Sequence, residues 1–226
     1  MSTFGDEIMK ITFLGDSITF GYALDDKSKK YTTLVCKELG AEEENFGITG
    51  TLMARSGLNL SDGNAFLDRL YILENAEVCV IFGGTNDYFW TSDPIAPKDK
   101  NDKDSRYFIN AVDEICKFCK NRTDTKFLIV TPYPHHGIGN YYGGPIWSWE
   151  GRSEHDTNEL NIVGHKLEDY VDVLIERANK YGIPVLNLHK NFDFDWRLHT
   201  VDGCHPNEDG HRLLANAILN KLKEII

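Results

Sequence analysis

Apolar residues along this chain fall into short continuous runs that alternate with helix-spaced stripes. Ile11-Thr12-Phe13-Leu14, closed by Gly15, reads as a strand over 10–14. Similar runs at 77–82 and 126–130, with shorter ones around 45–47 and over 183–188, predict four more strands. Unbroken apolar runs of this length suit strands covered on both faces, since a half-exposed strand would alternate instead. Between the runs, apolar side chains recur every three or four positions, as a helix face requires. Helices are predicted over 31–39, 65–73, 105–120, 158–181 and 207–226. The clearest stripe is Phe108, Ile109, Val112, Ile115, Cys116 and Cys119. Gly182 and Pro184 should stop the fourth helix; Asn207, followed by Glu208 and Asp209, should cap the fifth and complement its dipole. Strand–helix alternation predicts a mainly parallel five-stranded sheet with helices on both faces, an α/β/α sandwich made as a single domain over 1–226. No repeat, low-complexity tract or linker divides the chain.

Three of the turns that end these elements carry chemistry. After the first strand comes Gly15-Asp16-Ser17, and after the third comes Gly83-Gly84-Thr85-Asn86-Asp87. Both lie at the carboxyl edge of the sheet, where open α/β folds bind ligands. Near the end of the chain stands Asp202-Gly203-Cys204-His205-Pro206. Free serine is a weak nucleophile; it needs a base to take its proton and a third group to orient that base. Ser17, His205 and Asp202 are those three types, and the Asn86 amide could donate to a developing oxyanion. Each motif alone also has an ordinary explanation, turn chemistry for Gly-Asp-Ser and a helix start for Asp-x-x-His-Pro. Their joint occurrence favours catalysis.

In these motifs the chain resembles the SGNH (GDSL-type) hydrolases. That family's four blocks match Ser17, Gly50 within Asn45-Phe46-Gly47-Ile48-Thr49-Gly50, Asn86, and His205 with Asp202, in the family's order and over nearly the whole chain. Gly47 and Gly57 compete with Gly50 for the second block, and the Asn45 register selects Gly50. The resemblance implies a flavodoxin-like sandwich and acyl transfer to water through a covalent acyl-enzyme. Ser17 would be nucleophile, His205 base and Asp202 its orienting acid. The oxyanion hole would be the backbone N–H of Ser17, the backbone N–H of Gly50 and the Asn86 side chain. The lipase elbow Gly-x-Ser-x-Gly is absent, which disfavours the ordinary α/β-hydrolase fold.

Charge and cysteine content then narrow the setting. A formal charge of −11 and a pI near 5.1 exclude partners that are themselves polyanions, so neither nucleic acid nor an anionic membrane surface is expected. No apolar stretch has the length of a membrane span, and the first residues lack a signal-peptide pattern. Five cysteines, odd in number and scattered, suit a reducing compartment, so a cytoplasmic location is expected. Cys116-x-x-Cys119 on one helix face reads as core packing rather than a metal or redox pair. No P-loop lysine follows Gly83-Gly84, and no dinucleotide fingerprint exists, so no cofactor, metal, nucleotide or flavin is called for.

Two long loops, 88–104 and 133–155, leave the same sheet edge and hold many aromatics. Tyr88, Phe89, Trp90, Tyr133, Tyr141, Tyr142, Trp147 and Trp149, together with Asp16, are candidates for the substrate wall. Flat rings with N–H or O–H groups suit a ligand with an apolar face and many hydroxyls, and the loops hold few of the aliphatic residues that a long acyl chain needs, which predicts a short acyl ester, acetyl first, of a small molecule or glycan. A lysophospholipase or thioesterase, an acyltransferase using the same residues, and a non-catalytic binding module are the alternatives.

Overall fold

The computed structural model describes residues 8–55, 64–135 and 159–226. Its centre is a parallel sheet of β1 (Lys10–Gly15), β2 (Glu42–Gly47), β3 (Val78–Phe82), β4 (Lys126–Val130) and β5 (Val185–Leu186), in the order β2-β1-β3-β4-β5. The order reverses between β1 and β3, the switch point of a flavodoxin-like sheet. Alternate residues of β3 explain its continuous apolar run: Cys79 and Ile81 enter one core, Val78, Val80 and Phe82 the other. The first core is roofed by α4 (Phe108–Lys120) and α5 (Leu167–Tyr181). The second is roofed by α2 (Tyr31–Leu39) and α7 (Glu208–Leu222). Among the described residues, three shorter α-helices are α1 (Ser17–Phe20), α3 (Thr85–Trp90) and α6 (Trp196–His199).

Several elements depart from the sequence pattern for identifiable reasons. Strand β2 begins at Glu42, three residues before the expected stretch, because an edge strand has one open side and accepts Glu42, Glu43 and Glu44. Lys10 on the neighbouring strand lies within ion-pair distance of Glu42 and Glu44. The stretch 65–73 is a 3₁₀ helix (Phe66–Leu73) rather than an α-helix. Helix α5 starts at Leu167, because the Asn161 carboxamide accepts the N–H groups of Val163 and His165 and holds that segment in turns. Strand β5 is only two residues long; past it, the Leu188 N–H goes to the Thr131 hydroxyl instead of the ladder.

The largest correction concerns 88–104. Its first three residues, Tyr88, Phe89 and Trp90, belong to α3 and are buried in the first core rather than lying in a loop. Residues 91–104 alone lack regular structure, and they are folded into turns by Asp99, Asp102 and Asp104, each accepting the N–H two residues on. The cysteines are all free and buried, and burial pushes the Cys116 thiol up to about 12. Among the described residues, no helix is long and apolar enough to cross a membrane.

Candidate active site

Strand β1 delivers Gly15 to the sheet edge, and Asp16 then caps α1 by accepting the Ile18 N–H at 2.9 Å. Ser17 is thereby the first residue of a helical turn, with an N–H that the helix itself does not use. Gly47 lets this turn lie against β2, since a Cβ there would strike the backbone at Thr19 and Phe20.

His205 comes from a loop that closes on itself: the Val201 N–H donates to the His205 carbonyl at 2.8 Å, and the Gly203 N–H donates to the Thr200 hydroxyl at 2.9 Å. Beneath it, Asn207 caps α7 by accepting the Gly210 N–H. Within the loop, Asp202 Oδ1 accepts the N–H groups of Cys204 and His205, at 3.0 and 2.7 Å. Its Oδ2 lies 2.6 Å from His205 Nδ1, and His205 Nε2 lies 3.0 Å from Ser17 Oγ. A carboxylate only accepts, so Nδ1 carries the proton and Nε2 is left as the acceptor for the serine hydroxyl. Burial pushes the Asp202 carboxyl up, but the hydrogen bond and charge of His205 outweigh it and hold it below the usual range. The half-buried Tyr22 ring lies against His205, 4.5 Å between centroids. The residue after Tyr22, Ala23, has φ = 65°, a costly conformation for a side-chain-bearing residue.

Gly50 is the third residue of a reverse turn over 48–51, in which the Thr51 N–H reaches the Ile48 carbonyl. Its φ of 77° is the positive value that a type II turn requires at that position. Thr51, next in line, accepts the Asn86 amide on its carbonyl at 3.0 Å. The Asn86 Oδ1 in turn accepts the Trp90 indole N–H at 3.1 Å. An indole can only donate and a carbonyl only accept, so these contacts fix which end of the carboxamide is which. Asn86 keeps a second N–H beyond the one given to Thr51. Asp87 holds the chain further along through the N–H groups of Met53 and Ala54. Burial pushes its carboxyl up to about 7, against the pull of those N–H groups.

The other expected wall residues among those described, Asp16, Tyr133 and Trp90, are buried and bonded within the protein. Asp16 is 2% exposed and serves as the α1 cap; burial pushes its carboxyl up to about 6 while the Ile18 N–H and the charges of His205 and Arg69 draw it back. Tyr133 is fully buried between Phe82 and Phe194, and its hydroxyl donates to the Cys204 carbonyl at 2.7 Å, beneath the His205 loop. Trp90 supports Asn86 from inside the core. Tyr141, Tyr142, Trp147 and Trp149 lie outside the described residues, as does Gly57. Sequence reasoning passed over Tyr22, Thr51, Arg69 and Asp87. Asp87 adjoins Asn86, and Arg69 follows Asp68 inside an otherwise apolar stretch; Tyr22 and Thr51 give no comparable signal.

The model of the GDSL-like lipase/acylhydrolase family matches residues 13–213. No curated protein matches the chain. A solved structure from Lactobacillus plantarum is 23% identical, with a TM-score of 0.76, covering 96% of this chain and 97% of that one. The lipase/acylhydrolase from Enterococcus faecalis is 21% identical, with a TM-score of 0.61 and 96% of each chain covered. The M. smegmatis aryl esterase is 16% identical, with a TM-score of 0.68, covering 96% of this chain and all of the other. At these identities the likeness is one of fold.

Proposed function

The chain belongs to the GDSL-like lipase/acylhydrolase family, an ester-hydrolysing assignment, and we propose that it acts as a serine esterase through a covalent acyl-enzyme. The observation that carries this reading is the continuous relay from Asp202 Oδ2 through His205 to Ser17 Oγ, at 2.6 and 3.0 Å. Ser17 Oγ attacks the ester carbonyl carbon while His205 Nε2 takes its proton. The tetrahedral oxyanion is met by the N–H groups of Ser17 and Gly50 and by the Asn86 amide. His205 then returns the proton to the leaving alcohol as the C–O bond breaks. Water repeats the sequence on the acyl-enzyme: His205 takes its proton, hydroxide adds to the acyl carbon, and Ser17 leaves reprotonated. Asp202 keeps the imidazole oriented and balances its transient positive charge, so it must stay ionised; its lowered pKa suits that task.

For the substrate we propose a short acyl ester, acetyl first, on a small molecule or glycan. Support comes from the sequence of residues 136–158, which follows β4 and carries two tyrosines, two tryptophans and five glycines but only two isoleucines as aliphatic residues beyond proline. Such a composition does not line a long acyl channel. The test of the mechanism is covalent. Treatment with a serine-directed phosphonate should add one adduct to the intact mass, lost with activity in Ser17→Ala. An adduct that persists in that variant would overturn the assignment.

A further inference from the structure

A buried arginine stands behind the oxyanion turn. Arg69 is 5% exposed and lies on the 3₁₀ helix Phe66–Leu73. Residues three apart eclipse in such a helix, which sets the Arg69 guanidinium over the Phe66 ring, 5.1 Å from its centroid. From there it donates to four groups on different parts of the chain. Nε reaches the Asn64 carbonyl at 3.0 Å and Nη1 the Phe46 carbonyl at 2.6 Å. Nη2 reaches both the Gly15 carbonyl, at 3.2 Å, and the Thr51 hydroxyl, at 3.1 Å. The guanidinium therefore joins the ends of β1 and β2, which precede Ser17 and Gly50, to the residue just after Gly50.

Thr51 is where these constraints meet. Its hydroxyl accepts from Arg69 and donates to the Ile48 carbonyl at 2.8 Å, closing the turn that presents Gly50. Its carbonyl takes one N–H of Asn86. One residue thus ties together the orientations of two of the three groups assigned to the oxyanion. The charge of Arg69 also faces the buried carboxyl of Asp16, the residue before Ser17. A threonine hydroxyl can serve both partners because it accepts and donates at once, and a fixed fork of donors can hold several carbonyls in one geometry.

We propose that Arg69, acting through Thr51, is the positioning residue of the oxyanion hole, holding the Gly50 turn and the Asn86 amide at the geometry that the tetrahedral intermediate needs. The proposal rests on the serine-esterase reading. It separates from a structural role because Thr51→Val keeps shape and removes only the hydroxyl, whereas Thr51→Ser restores it. An error of about 1 Å at a reacting centre can cost on the order of 100-fold. Thr51→Val should therefore lower kcat about 10- to 100-fold, with KM within about twofold and the acid limb of the kcat/KM profile unmoved, since the Asp202–His205 relay is intact. Thr51→Ser should recover most of kcat. Arg69→Lys, which retains charge but loses the fork, should fall with Thr51→Val, and the phosphonylation rate of Ser17 should fall in parallel. An unchanged kcat in Thr51→Val, an equal loss in Thr51→Ser, or a displaced acid limb would overturn the proposal while leaving the esterase reading in place if the wild type still labels on Ser17. A wild type that neither labels nor hydrolyses esters would overturn both.

Discussion

The indole N–H of Trp90 donates to the Oδ1 of Asn86, one helical turn earlier, at 3.1 Å. A ring that looks from sequence like a substrate platform is instead a clamp on the carboxamide. Helix α3 makes this possible, because residues four apart share a face. Removing one oxyanion donor costs about 10²–10³ in kcat, and Asn86→Ala should show that loss with KM near wild type. Trp90→Phe should give a smaller fall in kcat, because the amide stays but its orientation is less constrained. Steady-state kinetics on an aryl acetate check both; a Trp90→Phe enzyme altered in KM alone would return Trp90 to the substrate wall.

Tyr133→Phe should affect the His205 loop without touching Ser17. The buried hydroxyl holds the Cys204 carbonyl, and an unpaired buried acceptor costs about 1–3 kcal/mol. The expected result is a lower urea midpoint together with a several-fold lower kcat. Unchanged stability and a raised KM would instead mean that the ring meets substrate.

His211 predicts a pH dependence of stability. It is fully buried, accepts the Tyr31 N–H on Nδ1 at 3.2 Å, and stacks on the Tyr31 ring. Burial, reinforced by Lys27 and Lys30, holds its pKa down at about 3, against 6.5 for the free side chain. Between those values the unfolded chain binds a proton that the folded one does not, so stability falls as pH drops through that window. The slope for one site is at most about 1.4 kcal/mol per pH unit. His211→Asn should be the less stable protein at pH 7, with its deficit narrowing toward pH 4. A constant gap between the two urea midpoints across that range would count against the assignment.

Acyl length tests the substrate proposal. Each methylene buried in a channel adds about 0.8 kcal/mol, so a long-chain enzyme gains steadily in kcat/KM from acetyl to decanoyl esters. The opposite trend is expected here, with acetyl and butyryl esters fastest and octanoyl slow. A steady rise would move a lysophospholipase or thioesterase to first place.

Local pattern carried far along this chain where neighbours cover both sides. The run in β3 is apolar at every position because two cores need it, and α4 shows a single stripe because one core covers one of its faces. Pattern fails where an element has an open side or a local competitor. The acidic start of β2 carries no core-facing signal, and the turn around Asn161 replaces a helical start with side-chain hydrogen bonds. Aromatics mislead most, since Tyr133 and Trp90 have the composition of a binding surface but direct their polar tips to the Cys204 carbonyl and the Asn86 amide.

From sequence alone came the sandwich and the identity of Ser17, Gly50, Asn86, Asp202 and His205 as candidates, because hydrophobic periodicity and short motifs are properties of contiguous residues. Their mutual geometry was a matter for tertiary structure. Ser17 and His205 are 188 positions apart, and only a parallel sheet that brings the β1 turn to the loop before α7 sets their side chains at 3.0 Å. The supporting frame lies still further from local reading. Arg69 sits in an apolar stripe, and its task is defined by carbonyls of Gly15, Phe46 and Asn64 and a hydroxyl of Thr51. A buried charge acquires its meaning from partners that the fold assembles, since burying it without them would cost more than the packing returns.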